Sequence, residues 1–203
     1  MLRELESPAE ALAAEFFSPE GKFAATTFDA LPNNPADAFT AEDLLAVTLL
    51  DVALSPRALR QLLESRSAEF ARLLRDIPAD LDLWEATDAH LAAIDRCDAA
   101  LRTLPGVGET RASKLMARKR PRLVPVVDSV IRHALRLGVD SRRELRDCLN
   151  DPAIRVAIER SRPKSASAGL ISSLRLVDAV VWIRHSRSRN ARQARLRAGL
   201  SIR

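Results

Sequence analysis

Two glycines flank a valine in Leu104-Pro105-Gly106-Val107-Gly108, a pattern suited to holding an anion. Glycine lacks a Cβ, so the backbone there can approach an oxygen closely. The residues that follow, Glu109 to Lys119, read as a helix, and the first amides of a helix have no partner within it. The macrodipole favours negative charge at that end. Val107 is expected to plug the groove between the flanking helices, and Ala112 to let them cross closely. Arg111 and Lys114 add positive charge, as does the run Arg118-Lys119-Arg120. Contacts of this kind grip a phosphate backbone and carry no base information. The same string also serves as a tight helical turn used only for packing, and Glu109 would repel a phosphate held by the same amides.

Asp128, 20 residues past Gly108, closes the extended approach Leu123-Val124-Pro125-Val126-Val127 and opens a helix through Val130, Ile131, Ala134 and Leu135. Aspartate before Ser-Val-Ile is a plain N-cap. His133 lies five residues on, more than one helical turn, so the two do not form a dyad. His90, His133 and His185 read as surface or helix-end residues. Asp178, beside Val177 and Val181, needs a basic partner such as Arg175. Cys97 and Cys148 are far apart and neither pairs with histidine at zinc spacing, so no metal, disulfide framework or cofactor is expected.

The segment from Leu101 to Leu115 resembles the helix-hairpin-helix motif: hydrophobic-Pro-Gly-hydrophobic-Gly, then a small residue, Ala112, and an apolar one, Leu115. With Val-Pro-Val-Val-Asp-Ser-Val-Ile behind it and Leu44 to Leu50 ahead of it, the hairpin is similar to the helix-hairpin-helix superfamily of base-excision DNA glycosylases. That resemblance implies an all-α fold of two interlocked lobes and a place in DNA repair. It also implies that Asp128 supports cleavage of a base-sugar bond, by stabilising positive charge on the sugar or by activating water. Thr110 stands where strand-cutting members carry lysine, so lyase chemistry is not expected. The cysteine cluster of iron–sulfur members is absent, and Asp51-Val-Ala-Leu lacks the amide some members place near the flipped base. The chain as a whole looks like an uncharacterised family of actinobacterial proteins. They share LPGVG, the run Lys114 to Pro121, and a terminal Leu-Arg-Leu-Val-Asp-Ala-Val-Val-Trp helix; this likeness brings no activity. Three functions follow as expectations: a DNA-binding protein making non-specific phosphate contacts without strand cleavage, a monofunctional glycosylase using Asp128, or a helical protein-interaction module.

The elements that must position these residues are helices. The chain has 203 residues, 47% hydrophobic and 29% charged, which is enough apolar surface to fold. Only 4% aromatics and no Tyr, with abundant Ala, Leu and Arg, favour an all-α helical bundle over sheet. Residues 1–100 carry 8 Lys/Arg against 19 Asp/Glu, net −11, and residues 101–203 carry 24 against 8, net +16. A field of that sign attracts polyanions, with nucleic acid or an anionic membrane surface the usual partners; a solvated arginine-rich surface or attraction between the two halves is the alternative.

Residues 1–39 read as an N-terminal arm containing a short amphipathic run from Pro8 to Phe17, and 40–185 as a helical domain with the hairpin at 91–119. Within that domain Thr40 to Asp43 forms a capping-box pattern, and Ser55-Pro56 starts a long helix that lasts to Ile77. Gly138 suits a left-handed stop, Ser141 to Glu144 a second box, and Asp151-Pro152 another start. A polar loop at Pro163, Lys164 and Ser165 precedes a last apolar helix with a stripe of Leu170, Leu174, Val177 and Val181. Residues 186–203, with six Arg and no acid, form a basic tail that either extends the last helix or moves freely. The start of the chain lacks the features of an export signal and no stretch reaches membrane-span length, so a soluble cytoplasmic protein without a membrane partner is expected. Its oligomeric state leaves no mark in the sequence.

Overall fold

The structure is a computed structural model that describes residues 1–164 and 171–200. It is 62% helix, with no strand among the described residues, which is the all-α class the composition requires. In chain order the helices are α1 (Ala9–Phe16), α2 (Ala25–Ala30), α3 (Ala41–Thr48), α4 (Pro56–Arg60), α5 (Ser67–Arg75) and α6 (Asp88–Arg102), then α7 (Glu109–Lys119), α8 (Ser129–Leu135), α9 (Ser141–Leu149), α10 (Pro152–Arg160), α11 (Ser173–His185) and α12 (Arg189–Arg197). They fall into two compact units. One joins both ends of the chain, residues 1–26 and 127–203; the other is the continuous middle, 27–126.

This division redistributes the charge. The middle unit carries 13 Lys/Arg against 15 Asp/Glu, net −2, and the unit of the two ends carries 19 against 12, net +7. The opposition of −11 and +16 along the sequence is therefore largely removed, because the basic stretch 101–126 folds with the acidic 27–100, and the acidic 1–26 with the basic 127–203.

Local signals fix many of the helix starts. Thr40 and Asp43 form a reciprocal box, with the Asp43 amide donating to Thr40 Oγ1 at 3.3 Å and the Thr40 amide to Asp43 Oδ2 at 2.8 Å. Ser55 and Asp151 each cap a helix that has proline in its first turn. Thr87 pairs with His90 in the same way, so His90 is a helix-start residue. Each such cap contributes about 1 kcal/mol.

Four local expectations are corrected. The long helix from Pro56 does not run unbroken to Ile77: a wide turn at Gln61–Ser65 and a break at Arg66 divide it into α4 and α5. The left-handed residue after α8 is Arg136, at φ 54°, and not Gly138. Gly138 instead donates its amide to Glu144 Oε2 at 2.8 Å, which takes Glu144 away from the box expected with Ser141; the residue preceding α9 is Asp140. Residues 189–197 form a separate helix with its own Ser188 cap, because the chain is extended at Ser186.

In the unit of the two ends, α11 is the centre, packed by α1, α8, α10 and α12. It is buried on nearly every side from Leu174 to Val181, as expected of a helix at the middle of a core. Its one acid, Asp178, accepts from the Arg175 guanidinium inside this core. Phe16, Phe17, Phe23 and Trp182 form an aromatic cluster beside it. Ser165 and Leu170, expected in the polar loop and the apolar stripe, and residues 201–203 of the tail lie outside the described residues. In the middle unit α6 packs on α5 and α7, and α7 on α3. Leu91, Ile94, Leu101, Leu115 and Met116 are buried there, each contributing about 1.5–3 kcal/mol.

Candidate nucleic-acid interface

Helices α6 and α7 and the turn between them form the hairpin. Gly106 sits at φ +78°, the left-handed region that glycine alone enters freely, and so reverses the chain. Val107 folds inward, its amide donating to Leu104 O at 3.0 Å and its side chain buried. Ala112 is fully buried and permits the close approach of α7. Gly108 is the N-cap of α7, with extended backbone (φ −93°, ψ −175°) and no side-chain cap. A Cβ added at Gly106 or Gly108 would meet nothing within 4 Å. The tip of the hairpin is thus open, and beside it lies the uncapped start of α7, with exposed Glu109 at its first position.

The cations placed here by sequence divide into two groups. Arg111 is exposed, with Nε donating to Ala53 O at 3.0 Å and one terminal nitrogen to Gly106 O at 3.0 Å, so it braces the tip against the loop after α3. Lys114 is half-buried and donates to Leu50 O in that loop. Ser55 adds a third tie, its Oγ donating to Pro105 O at 3.0 Å.

Arg118, Lys119 and Arg120 belong to the interior, and the expectation that they reach phosphate is corrected. All three are buried, Arg120 at 1% exposure. Arg118 donates to Phe28 O, Asp29 O and Leu31 O, the carbonyls that end α2. Arg120 does the same at the end of α5, through Leu74 O at 2.6 Å and Ile77 O at 3.0 Å, and also reaches Ala36 O at 2.8 Å. Lys119 holds Asn34 Oδ1 at 2.8 Å and lies 5.6 Å from the centre of the Phe39 ring. One carboxylate, Asp43, bridges Arg118 at 3.3 Å and Lys119. Cations are favourable at helix C-termini, and these donors could reach a phosphate only by abandoning buried carbonyls. Burial pushes the Lys119 ammonium and the Arg120 guanidinium below their ordinary values, with Asp43 opposing the shift at Lys119.

Asp128 is the N-cap of α8: its Oδ1 accepts from the Ile131 amide at 2.9 Å. That is the bland role its sequence context allowed. The hairpin belongs to the middle unit and Asp128 to the other.

Sequence reasoning did not single out the arginines on α12. Arg187, just before the helix, and Arg189 and Arg192 on it are exposed, and the signal that could have found them is Ser188 before an acid-free run that carries five of the tail's six arginines.

A family model matches residues 9–185, most of the chain and both units of the fold. The chain belongs to DUF6308, a family of unknown function. No curated protein and no solved structure matches it. The DUF6308 match ends at the last residue of α11 and so leaves α12 outside it.

Proposed function

We propose that this DUF6308 protein binds the phosphate backbone of DNA through the α6–α7 hairpin, without reading bases and without cutting a strand. One observation carries the proposal: the open space over Gly106 and Gly108, beside a helix start that has no side-chain cap. The backbone at Gly108 suits any residue and its Cβ direction is empty, so the protein's own packing does not call for glycine there. Room for an approaching oxygen does, and helix-start amides are suited to hold it. Exposed Arg111 is the cation at hand.

The net −2 of the middle unit gives the electrostatic field a smaller part at this site than the amides have. The chain path, with both ends in one unit and the middle in the other, supports a distant glycosylase-like architecture of two lobes. The capping role of Asp128 supports binding over base excision.

The test is fluorescence anisotropy on a labelled duplex from about 50 to 200 mM salt. The wild type should bind less tightly as salt rises. Gly108→Val, which the open space lets fold normally, should weaken binding by about tenfold or more, the value of one or two charge-assisted hydrogen bonds. Binding that ignores salt, or that is equal in the two proteins, would overturn the proposal.

A further inference from the structure

Helix α12 is built almost entirely from arginine, alanine and polar residues, and residues 186–203 contain no acid. Its arginines have two fates. Arg195 turns inward and donates to Ile183 O, Arg184 O and Ser186 O, closing the end of α11, while Arg197 pairs with Glu15 of α1 at 2.6 Å. Ala191 and Ala194 are fully buried on the same side, so the helix is fastened along one face. Arg189 and Arg192, three residues apart, share the opposite, exposed face, and Arg187 stands exposed just before the helix.

The neighbouring elements do not neutralise these three. The acids of α1 are Glu10 and Glu15, which pair with Lys164 at 3.6 Å and with Arg197. The acid of α11 is Asp178, held by Arg175. The Arg192 charge is felt nearby, lowering Arg195 beyond what burial alone does.

We infer that Arg187, Arg189 and Arg192 form a second polyanion-binding surface, one that takes the sugar-phosphate backbone of a nucleic-acid duplex. Guanidinium forks match phosphate oxygens bidentately, and here a fastened helix presents two of them on one face with the third just before its start. An anionic membrane is the weaker partner, because an interfacial helix needs an apolar exposed face. The apolar positions of α12 are buried alanines, and Leu196 alone is a large exposed one. The inference does not depend on the hairpin.

The experiment uses the full chain and labelled DNA and RNA duplexes across about 50–200 mM salt. Arg187→Gln, Arg189→Gln and Arg192→Gln together should lower the slope of log affinity against log salt by about 2 to 3. The triple lysine variant keeps the charge and should retain most of the slope. A control triple, Arg60→Gln, Arg72→Gln and Arg75→Gln, removes equal charge from exposed sites of the middle unit and should leave the slope nearly unchanged. A glutamine triple on α12 that matches the wild type or the control overturns the inference, even if Gly108→Val has weakened binding. A shallower slope in that triple with Gly108→Val unaffected supports it and removes the hairpin from the account. No duplex binding, or binding only to vesicles of phosphatidylserine and phosphatidylcholine, also overturns it.

Discussion

Replacing Asp43 by alanine separates an internal role for the basic run from a surface one. In the wild type this carboxylate is fully buried, bridges Arg118 and Lys119, and accepts the Thr40 amide at the start of α3. Removing one partner of a buried ion pair costs about 3–5 kcal/mol, because the remaining charge stays buried without a counter-charge. Loss of the capping interaction adds about 1 kcal/mol. The middle unit has 100 residues, and each kcal/mol in a domain of that size lowers the midpoint by about 4–8 °C. The expected loss is therefore a large share of the roughly 5–15 kcal/mol that holds a domain folded.

Asp43→Asn keeps an acceptor for the cap and should fall between the two. Urea unfolding followed by circular dichroism measures both. The pH dependence has a definite sign: the Lys119 value in the fold lies below 10.5 and Asp43 opposes that lowering, so the alanine variant lowers it further. Between the folded value and 10.5 the unfolded chain holds more protons, so the variant should regain stability as pH rises through that window. A loss within about 1 kcal/mol, the scale of an exposed pair, would refute the reasoning and return Arg118 and Lys119 to the surface.

Glu109→Gln removes the carboxylate beside the uncapped start of α7 and should tighten duplex binding severalfold; equal or weaker affinity by anisotropy would count against amide-held phosphate. Gly106→Ala forces a side chain into the left-handed region at φ +78° and should cost about 1–2 kcal/mol in thermal unfolding, whereas an unchanged midpoint would mean that the tip does not need that conformation. Asp128→Ala should destabilise the protein by about 1 kcal/mol through its lost cap, and Asp128→Asn should leave release of free base from damaged duplexes equal to the wild-type background. Base release that disappears in Asp128→Asn would establish the enzymatic reading instead.

What the sequence revealed was mostly local. Thr40, Ser55 and Asp151 name their helices within a few residues, and the hairpin needs only the string from Leu101 to Leu115. The fate of Arg118, Lys119 and Arg120 depends on carbonyls and a carboxylate 43 to 90 positions away, so a run that resembles a basic surface becomes a hub of helix C-caps. The charge of each half misled for the same reason, since the fold joins residues 1–26 to 127–203. Gly138 carried a left-handed signal, but Arg132 and Glu144 hold its carbonyl and amide while Arg136 makes the turn.

The most direct measurement of the central claim is the amide nitrogen–proton spectrum of the protein as duplex DNA is added. If the hairpin grips phosphate with its backbone, the signals of Gly106, Gly108, Thr110 and Arg111 should move together and saturate, and the movement should shrink as salt is raised. If those signals stay in place while the duplex is bound, the hairpin is not the site and the account of its function is wrong.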